Sequence, residues 1–364
     1  MQRGRCVAGL IVVGLAACST AGRDGSGAVV PLAFEPSPLP TAARRSIAPA
    51  ASEAHTATTT TMSTTQVTTT PSAPSGAASV SGVALRGSVP APSVTFAFTG
   101  DTLLHTPIIQ AAATANGYDF APMFAEIAPA ISWADVGVCH LETPIAPDGE
   151  GLSTYPLYGV PAAIAPALAG AGYDRCSTAS NHTMDRGTAG IDATVAALER
   201  AGVAESGMAR TPTEAIPATF EVHGIRIAHL SFTFGLNGLR TPANEPWRTN
   251  LLDAGAVIAS AAEARERGAQ VVIASIHWGI EGQSTVTPQQ RQIAEAITAS
   301  HQVDVIVGHH AHVVQPIEQI NGHWVVFGLG NILSNLPTGE VGRYWPPSAQ
   351  DGVIVTLRIT QTPE

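Results

Sequence analysis

From Val94 onward, short apolar runs alternate with segments of helical periodicity, and this alternation constrains the fold of the 364-residue chain more than any other feature. Alternating β and α units are typical of α/β domains with parallel strands. A candidate hairpin that turns at His223-Gly224 adds antiparallel pairing, so we expect mixed sheets. The strands are predicted over 94–100, 136–142, 174–181, 219–233 (the hairpin), 270–277, 303–310, 323–331 and 352–360, and the helices over 119–131, 161–171, 188–202, 254–268 and 287–301.

Five of the predicted strands end in polar side chains that can bind a metal. Open α/β sheets build their sites at the carboxyl ends of the strands, where these side chains would meet. A single histidine at the end of a strand is usually structural. Metal-binding side chains at the ends of five strands, in contrast, predict a site. The residues are Asp101, Glu142, Asn181 with His182, His277, and the group His309, His310 and His312.

The residue types indicate which metals the site would hold. Carboxylate and amide oxygens combined with imidazoles suit Zn²⁺, Mn²⁺ or Fe. Six ligands exceed what one tetrahedral ion uses, whereas two divalent transition metals ~3.5–4 Å apart, bridged by a carboxylate, would use them all. In an extended segment His310 and His312 leave on the same side, toward two metals or toward one metal and a substrate anion. His309 would then point away and have a supporting or structural role.

The first 18 residues have the pattern of a bacterial lipoprotein signal peptide. Arg3 and Arg5 precede an apolar stretch, Val7 to Ala17, that is too short to span a bilayer as a mature helix. The stretch ends in "LAAC", which resembles a lipobox and predicts a lipidated Cys18 that anchors the protein outside the cytoplasm. The alternative is plain secretion after cleavage at a small residue.

Composition separates a tether from a folded domain. Residues 19–92 are rich in Ala, Thr, Pro and Ser and contain too little apolar surface to fold, so we expect a disordered tether. The folded domain is predicted over 93–362. A net charge of −10 argues against a nucleic-acid partner. Cys139 and Cys176 lie in apolar runs, which favours buried free thiols over a disulfide between neighbouring strands or metal ligation. We expect His140 to be structural and Asn331 to be a turn residue.

Several motifs together resemble one family. "FTGDTLLH", "VCHLETPI", "STASNHTMDRGTAGIDAT", "SIHWGIEG" and "VIVGHHAHVVQPIEQINGHWVVFGLGN" occur in the order typical of the CapA family of capsule synthesis proteins, which is associated with poly-γ-glutamate capsules. That family is in turn similar to the calcineurin-like metallophosphatases. The resemblance implies a four-layer α/β/β/α sandwich with the site at the strand ends.

The resemblance also implies roles for particular residues. Asp101 would bind the first metal and Glu142 would bridge both, at a position where phosphatases usually have Asp. Asn181 and His277 would bind the second metal, His310 and His312 match the Gly-His-x-His element, and His182 matches the general acid. Four further residues, Asp185, Arg186, Glu281 and His309, are candidates for supporting the site or binding substrate.

His105 departs from the family pattern of the metallophosphatases. Those enzymes usually begin with Asp-x-His, whereas "DTLLH" places His105 four residues after Asp101. This spacing makes His105 a candidate for supporting the site rather than an assigned ligand.

Two functions of different classes are compatible with the sequence. The first is a metal-dependent hydrolase that acts on a phosphoester or an amide of an envelope polymer. The second is a non-catalytic assembly or export component of a polyglutamate synthesis complex. A degenerate binding protein is a third reading, which the intact set of ligands disfavours.

Overall fold

A computed structural model describes residues 6–13, 91–337 and 345–361 of the chain, the first of these segments by its backbone alone. The strands are β1 Cys6–Val13, β2 Ser93–Thr102, β3 Ala113–Thr114, β4 Gly117–Tyr118, β5 Val136–Leu141, β6 Tyr173–Ser177, β7 Ala204–Ser206, β8 Thr219–Val222, β9 Ile225–Thr233, β10 Val271–His277, β11 Val305–His309, β12 Ile317–Ile320, β13 His323–Val326, β14 Asn331–Leu333 and β15 Ile354–Gln361. The helices are α1 Thr106–Ala111, α2 Ala121–Phe124, α3 Ala128–Ser132, α4 Ile164–Ala171, α5 Gly187–Ala201, α6 Ala254–Glu266 and α7 Pro288–Ala299, with 3₁₀ turns at Pro246–Arg248 and Pro347–Gln350.

Two mixed sheets form the centre of the domain. In the first sheet the order is β1-β15-β2-β5-β6-β7, and β14 pairs with the end of β2. In the second sheet the order is β12-β13-β11-β10-β9-β8. Strands β2, β5, β6 and β7 run parallel, as do β9, β10, β11 and β13, while β15, β12 and β8 pair antiparallel with their neighbours. The prediction of mixed sheets is confirmed.

Three layers of buried side chains hold the sheets and helices together. The central layer lies between the sheets and joins residues such as Phe96 and Val138 of the first sheet to Ile227 and Ile273 of the second. A second layer packs the outer face of the first sheet against α1 to α5, and a third packs the other sheet against α6 and α7. This is the four-layer α/β/β/α sandwich that the family resemblance implied.

Local sequence explains where the helices begin and why one prediction fails. Helix α7 begins with a capping box, in which the Thr287 side chain accepts from the Gln290 N–H and Gln290 accepts from Thr287. The single helix predicted over 119–131 is wrong. The structure has two short helices there, α2 and α3, because Pro122 and Pro129 each favour the first turn of a new helix over the continuation of an old one.

Cys139 and Cys176 form a disulfide that joins two neighbouring parallel strands. The two residues are register partners on β5 and β6, with their Cα atoms 4.4 Å apart. The prediction of buried free thiols is therefore wrong, and the disulfide alternative holds. The two thiols are consequently not metal ligands.

The N-terminal predictions fall largely outside the described residues. Cys18 and the tether are not among them, so lipidation and disorder stay predictions. Within the predicted signal peptide, Cys6–Val13 forms β1, which pairs antiparallel with β15. Among the described residues, no helix is both long enough and apolar enough to cross a membrane.

Candidate metal centre

The candidate site lies where the carboxyl ends of β2, β5, β10 and β11 meet. The residues that these strands and the loop after β6 contribute are all nearly inaccessible to solvent: Asp101, Glu142, Asn181, His182, His277, His309, His310 and His312. Charged and polar groups are buried at this density only where partners or cations compensate them. The structure thus brings together every residue that the resemblance placed in the metal site.

Asp101 receives contacts from all three histidines of the segment that follows β11. His309 Nδ1 lies 3.1 Å from Oδ1, the main-chain N–H of His310 donates to Oδ2 at 3.1 Å, and His312 Nδ1 lies 3.0 Å from Oδ2. Burial raises the pKa of Asp101, but the hydrogen bonds from His309 and His312 outweigh it and lower the pKa well below its usual range. Asp101 is therefore an ionised carboxylate, and His309 supports it by a direct contact.

The backbone of this segment differs from the prediction. His310 and His312 have φ values of 86° and 55°, in the left-handed region, so the predicted extended conformation is wrong. Their imidazoles nevertheless both approach Glu142, so that one nitrogen of each ring and a carboxylate oxygen lie within 4.8 Å of one another. Left-handed residues cost about 1–3 kcal/mol each and are concentrated at functional sites.

Glu142 lies at the centre of the cluster without the partners that a buried carboxylate needs. Its Oε1 is 3.6 Å from His312 Nε2 and 3.8 Å from His277 Nε2. Neither oxygen has a hydrogen bond to any described residue, although the side chain is 0% exposed. Burial raises the pKa of Glu142 well above its usual range. A divalent cation beside the carboxylate would remove this penalty, so the site fits a metal.

The pKa values of the two imidazoles nearest Glu142 are shifted in opposite directions. Burial and the charge of His312 lower the pKa of His310 to about 3, and His310 Nδ1 has no partner among the described residues. Burial also lowers the pKa of His312, but the charges of Glu142 and Asp101 raise it to about 10, so a metal that binds His312 would have to displace this proton. His310 is therefore a neutral imidazole with a free ring nitrogen, the form that binds metals.

Asn181 and His277 face each other on the other side of Glu142. Asn181 Oδ1 lies 2.9 Å from His277 Nε2, and Asn181 Nδ2 donates to Asn237 Oδ1 at 3.3 Å. These contacts direct the oxygen of Asn181 toward the cluster and its nitrogen away from it. An amide oxygen and an imidazole nitrogen so placed can bind one ion together.

His182 has a carboxylate partner in the same loop. Its Nδ1 lies 2.7 Å from Asp185 Oδ2, which also accepts from the N–H of Tyr158 at 2.7 Å. The His182 ring packs edge-on against Tyr158, with the centroids 4.7 Å apart. Asp185 therefore fixes the orientation of the His182 ring and leaves Nε2 for a proton transfer.

The remaining candidates lie at the margin of the site. His105 accepts from the N–H of Asn335 at 3.3 Å, and burial lowers the pKa of His105 to about 4. Arg186 donates to Glu150 and to the carbonyl of Gly151, so it fixes the 150–158 loop and is not a free anion-binding group. Glu281 is exposed, and its charge contributes to raising the pKa of Glu142 after burial and Asp101.

Two residues of the cluster were missed by the sequence analysis. His140 is fully buried, stacks on His309 with centroids 4.1 Å apart, and bonds to His277. Asn331 begins β14, where its Oδ1 lies 2.9 Å from His312 Nδ1. Alternation within β5 places His140 on the same face as Glu142, a signal that was available. The pattern "GLGN" gave no comparable signal for Asn331, because it is equally typical of a turn.

The folded part of the chain belongs to a family of bacterial capsule synthesis proteins. The family model described as "Bacterial capsule synthesis protein PGA_cap" matches residues 95–336, more than half of the chain and a range that includes the whole cluster. This match confirms the resemblance found in the sequence.

Individual relatives align over part of the chain. It is 32% identical to "PGA biosynthesis protein CapA" of Bacillus subtilis over 160 residues, 43% of this chain and 41% of the relative. It is 26% identical to the "Probable polyglutamine synthesis accessory protein" of Mycobacterium tuberculosis over 178 residues, 44% of this chain and 45% of the relative. Each alignment thus spans less than half of the relative. A solved calcineurin-like phosphoesterase from Bacillus subtilis is 14% identical, with a TM-score of 0.36 and coverage of 66% of this chain and 89% of that one.

Proposed function

We propose that the domain is a metal-dependent hydrolase of the cell envelope that acts in the synthesis of a polyglutamate capsule. Its substrate would be a phosphoester or an amide of an envelope polymer. The observation that carries the proposal is the buried Glu142 carboxylate, which has no hydrogen bond to a described residue and lies among imidazoles. A purely structural carboxylate at 0% exposure would be expected to have such bonds.

The residues divide into two ion positions that share Glu142. Asp101 and His312 would hold the first ion, and Asn181, His277 and His310 the second. Two divalent cations there, Mn, Zn or Fe, would lower the pKa of a water molecule and offset negative charge that develops on the substrate.

His182 supplies the proton chemistry that the metal ligands cannot. Asp185 holds its Nδ1 at 2.7 Å, so Nε2 is the atom that exchanges a proton with the substrate. Its proximity to the cluster is reflected in His310, whose pKa is lowered by burial, by His312 and, to a smaller degree, by His182. We assign His182 the transfer of a proton to the leaving group, and Asp185 the orientation of that ring.

Comparison of two substitutions tests these roles. Glu142→Ala should lower the metal content of the purified full chain from up to about two equivalents. His182→Ala should keep the metal and lose ~10²–10⁴-fold in hydrolysis of bis(p-nitrophenyl) phosphate or of a γ-linked glutamyl peptide, whichever is the substrate. Full metal retention in Glu142→Ala would overturn the metal centre, and unchanged hydrolysis in His182→Ala would overturn the acid role.

We also propose that a lipid on Cys18 anchors the protein to the outer face of the cell membrane. The proposal rests on the lipobox pattern at residues 15–18. Cys18→Ser should release the protein from the membrane fraction into the soluble envelope fraction or the medium. Unchanged membrane fractionation of this variant would contradict the proposal.

A non-catalytic role in polyglutamate assembly or export is the second candidate. It is favoured by the name of the Mycobacterium tuberculosis relative, which describes an accessory protein. If His182→Ala restores capsule formation in a deletion strain as fully as the wild-type chain, while Glu142→Ala does not, the metal centre serves assembly instead of hydrolysis.

A further inference from the structure

A continuous line of polar contacts runs behind the second ion position. His277 Nε2 lies 2.9 Å from Asn181 Oδ1, and His277 Nδ1 lies 2.9 Å from His140 Nε2. His140 Nδ1 in turn lies 2.8 Å from Ser177 Oγ. The Ser177 hydroxyl has a second acceptor within reach, the carbonyl oxygen of Cys139 at 3.3 Å. The line therefore links a main-chain carbonyl on β5 to the amide oxygen of Asn181.

These distances are compatible with two directions of donation. In one direction Ser177 donates to His140 Nδ1, His140 Nε2–H donates to His277 Nδ1, and His277 Nε2–H donates to Asn181. In the other, Ser177 donates to Cys139, so His140 donates from Nδ1 to Ser177 and His277 donates from Nδ1 to His140. Only the second direction leaves the Nε2 lone pair of His277 free for a metal.

The second direction requires a cation at its end. Asn181 Nδ2 donates to Asn237, so Oδ1 faces His277 and can only accept. With the proton of His277 on Nδ1, two acceptors would face each other at 2.9 Å and repel. A divalent ion bound to both atoms removes that repulsion. Without an ion, the first direction satisfies every group along the line.

We propose that His140 and Ser177 are positioning residues that set the tautomer of His277, and that the direction of this line reverses when a divalent cation binds between His277 and Asn181. The inference rests on the proposed metal centre and specifies how the protein regulates it. Each histidine carries one proton in both directions, so the reversal neither releases nor takes up a net proton.

The tautomers can be read directly by nitrogen NMR on the full chain with ¹⁵N-labelled histidine, with and without Zn²⁺. We expect His140 to carry its proton on Nε2 without zinc and on Nδ1 with zinc. A His140 ring that keeps the same protonated nitrogen in both states, while zinc binds, would overturn the reversal.

Zinc affinity measured by competition with a chelator tests the positioning role. Loss of a group that orients a metal ligand typically weakens binding ~10–100-fold, which we expect for Ser177→Ala. Ser177→Thr keeps the hydroxyl and should keep the affinity. The matched control is Ser275→Ala, which removes an equally buried serine bonded to a histidine that is not part of the line, His229 Nε2 at 2.9 Å. Its zinc affinity should not change.

A second pair of variants covers the case in which Ser177→Ala does not fold. In His140→Gln the side-chain oxygen can accept from His277 Nδ1, so this variant should bind zinc more tightly than His140→Leu. Equal affinity in both, or in Ser177→Ala and wild type, would overturn the positioning role alone. If wild-type protein binds no zinc, manganese or iron, the proposed metal centre fails, and this inference fails with it.

Discussion

Glu142 is the clearest case at this centre of a buried side chain that has no hydrogen bond to a described residue. Glu142→Gln keeps the shape of the side chain and removes its charge. Metal-free, the variant should melt at or above the wild-type temperature, because it no longer buries an ionisable group. A metal at 100-fold excess over its Kd stabilises a binding protein by ~2.7 kcal/mol, or about 5–10 °C here, and the variant should lack this gain. Calorimetry with and without Zn²⁺ measures both effects, and an equal zinc-induced shift in the two proteins would contradict the role of Glu142.

Glu205 gives a pH prediction outside the metal centre. Burial raises its pKa from 4.5 to about 7, so between these values the unfolded chain ionises while the folded chain stays protonated. The contribution of Glu205 to the free energy of unfolding therefore falls as the pH rises from about 4.5 to about 7. Glu205→Gln cannot ionise, so its melting temperature relative to wild type should increase from pH 5 to pH 8.

Glu214 is the control with the opposite sign. The hydrogen bond from Arg210 lowers the pKa of Glu214, so the stability that it contributes is present above its unfolded value and is lost as the pH falls. Glu214→Gln should consequently lose melting temperature relative to wild type as the pH rises toward 4.5, and it should change little between pH 5 and pH 8. The same trend in both variants would show that their effects are not electrostatic.

At the residue scale, the sequence predicted the proposed ligands better than the groups behind them. Asp101, Glu142 and His277 each end or follow a strand, which predicts a common location. The partner of His140 is 137 positions away in the chain, so no local pattern could pair the two rings. The disulfide was not predicted for a related reason. The two cysteines are paired by the register of β5 against β6, which depends on the whole sheet and cannot be deduced from the sequence of either strand.

At the scale of elements, β11 reaches the site through a close approach that only glycine allows. A Cβ atom on Gly308 would lie 1.9 Å from the carbonyl oxygen of Phe327 and 2.6 Å from Trp278 Nε1. Gly308→Ala should therefore displace the end of β11, lower metal content, and cost about 1–3 kcal/mol or more in stability. Gly170 in α4 is the matched control, since its Cβ would meet nothing within 4 Å and alanine there should be neutral or stabilising. Chemical denaturation and elemental analysis of both variants test this, and equal losses would contradict it.

The disulfide between β5 and β6 is the second prediction at this scale. It joins residues that are 37 positions apart in sequence. In the chain-entropy model, a disulfide that closes a loop of this length stabilises the folded state by about 3–4 kcal/mol. Replacing both cysteines by alanine should lower the free energy of unfolding by that amount. Thiol titration of the denatured wild-type protein should find Cys139 and Cys176 unreactive before reduction, and free thiols at these positions would refute the bond.

Most elements were predictable because their apolar periods are local. The strands ending at Asp101, Glu142 and His277 and helix α7 have clear patterns and caps. The short elements α1, β7 and β12 have no such sequence pattern. They are stabilised by contacts with neighbouring elements and not by an apolar periodicity of their own. The left-handed backbone of His310 could not be predicted from the sequence either, because histidine tolerates a positive φ but does not favour it.

At the scale of the whole molecule, the first testable boundary precedes β2. The family match begins at residue 95 and β2 at Ser93. A chain that begins at Ser88 should be monodisperse and melt in one cooperative transition, because it keeps both sheets and all three buried layers. It lacks only β1 among the described strands, and β15 still pairs with β2. Loss of the cooperative transition relative to the full chain would show that residues before Ser88 belong to the folded domain.

The left-handed backbone at His310 and His312 has a consequence for how this loop can change, in the laboratory or in evolution. Asparagine tolerates positive φ as histidine does, whereas valine or isoleucine would be forced into a strongly disfavoured conformation. A change to alanine alters the conformational cost of the loop together with its chemistry, so its effect overstates what the imidazole contributes. A change to asparagine isolates the imidazole. Evolutionary loss of the proposed metal binding should therefore pass through asparagine or glycine at these two positions before it reaches bulkier residues.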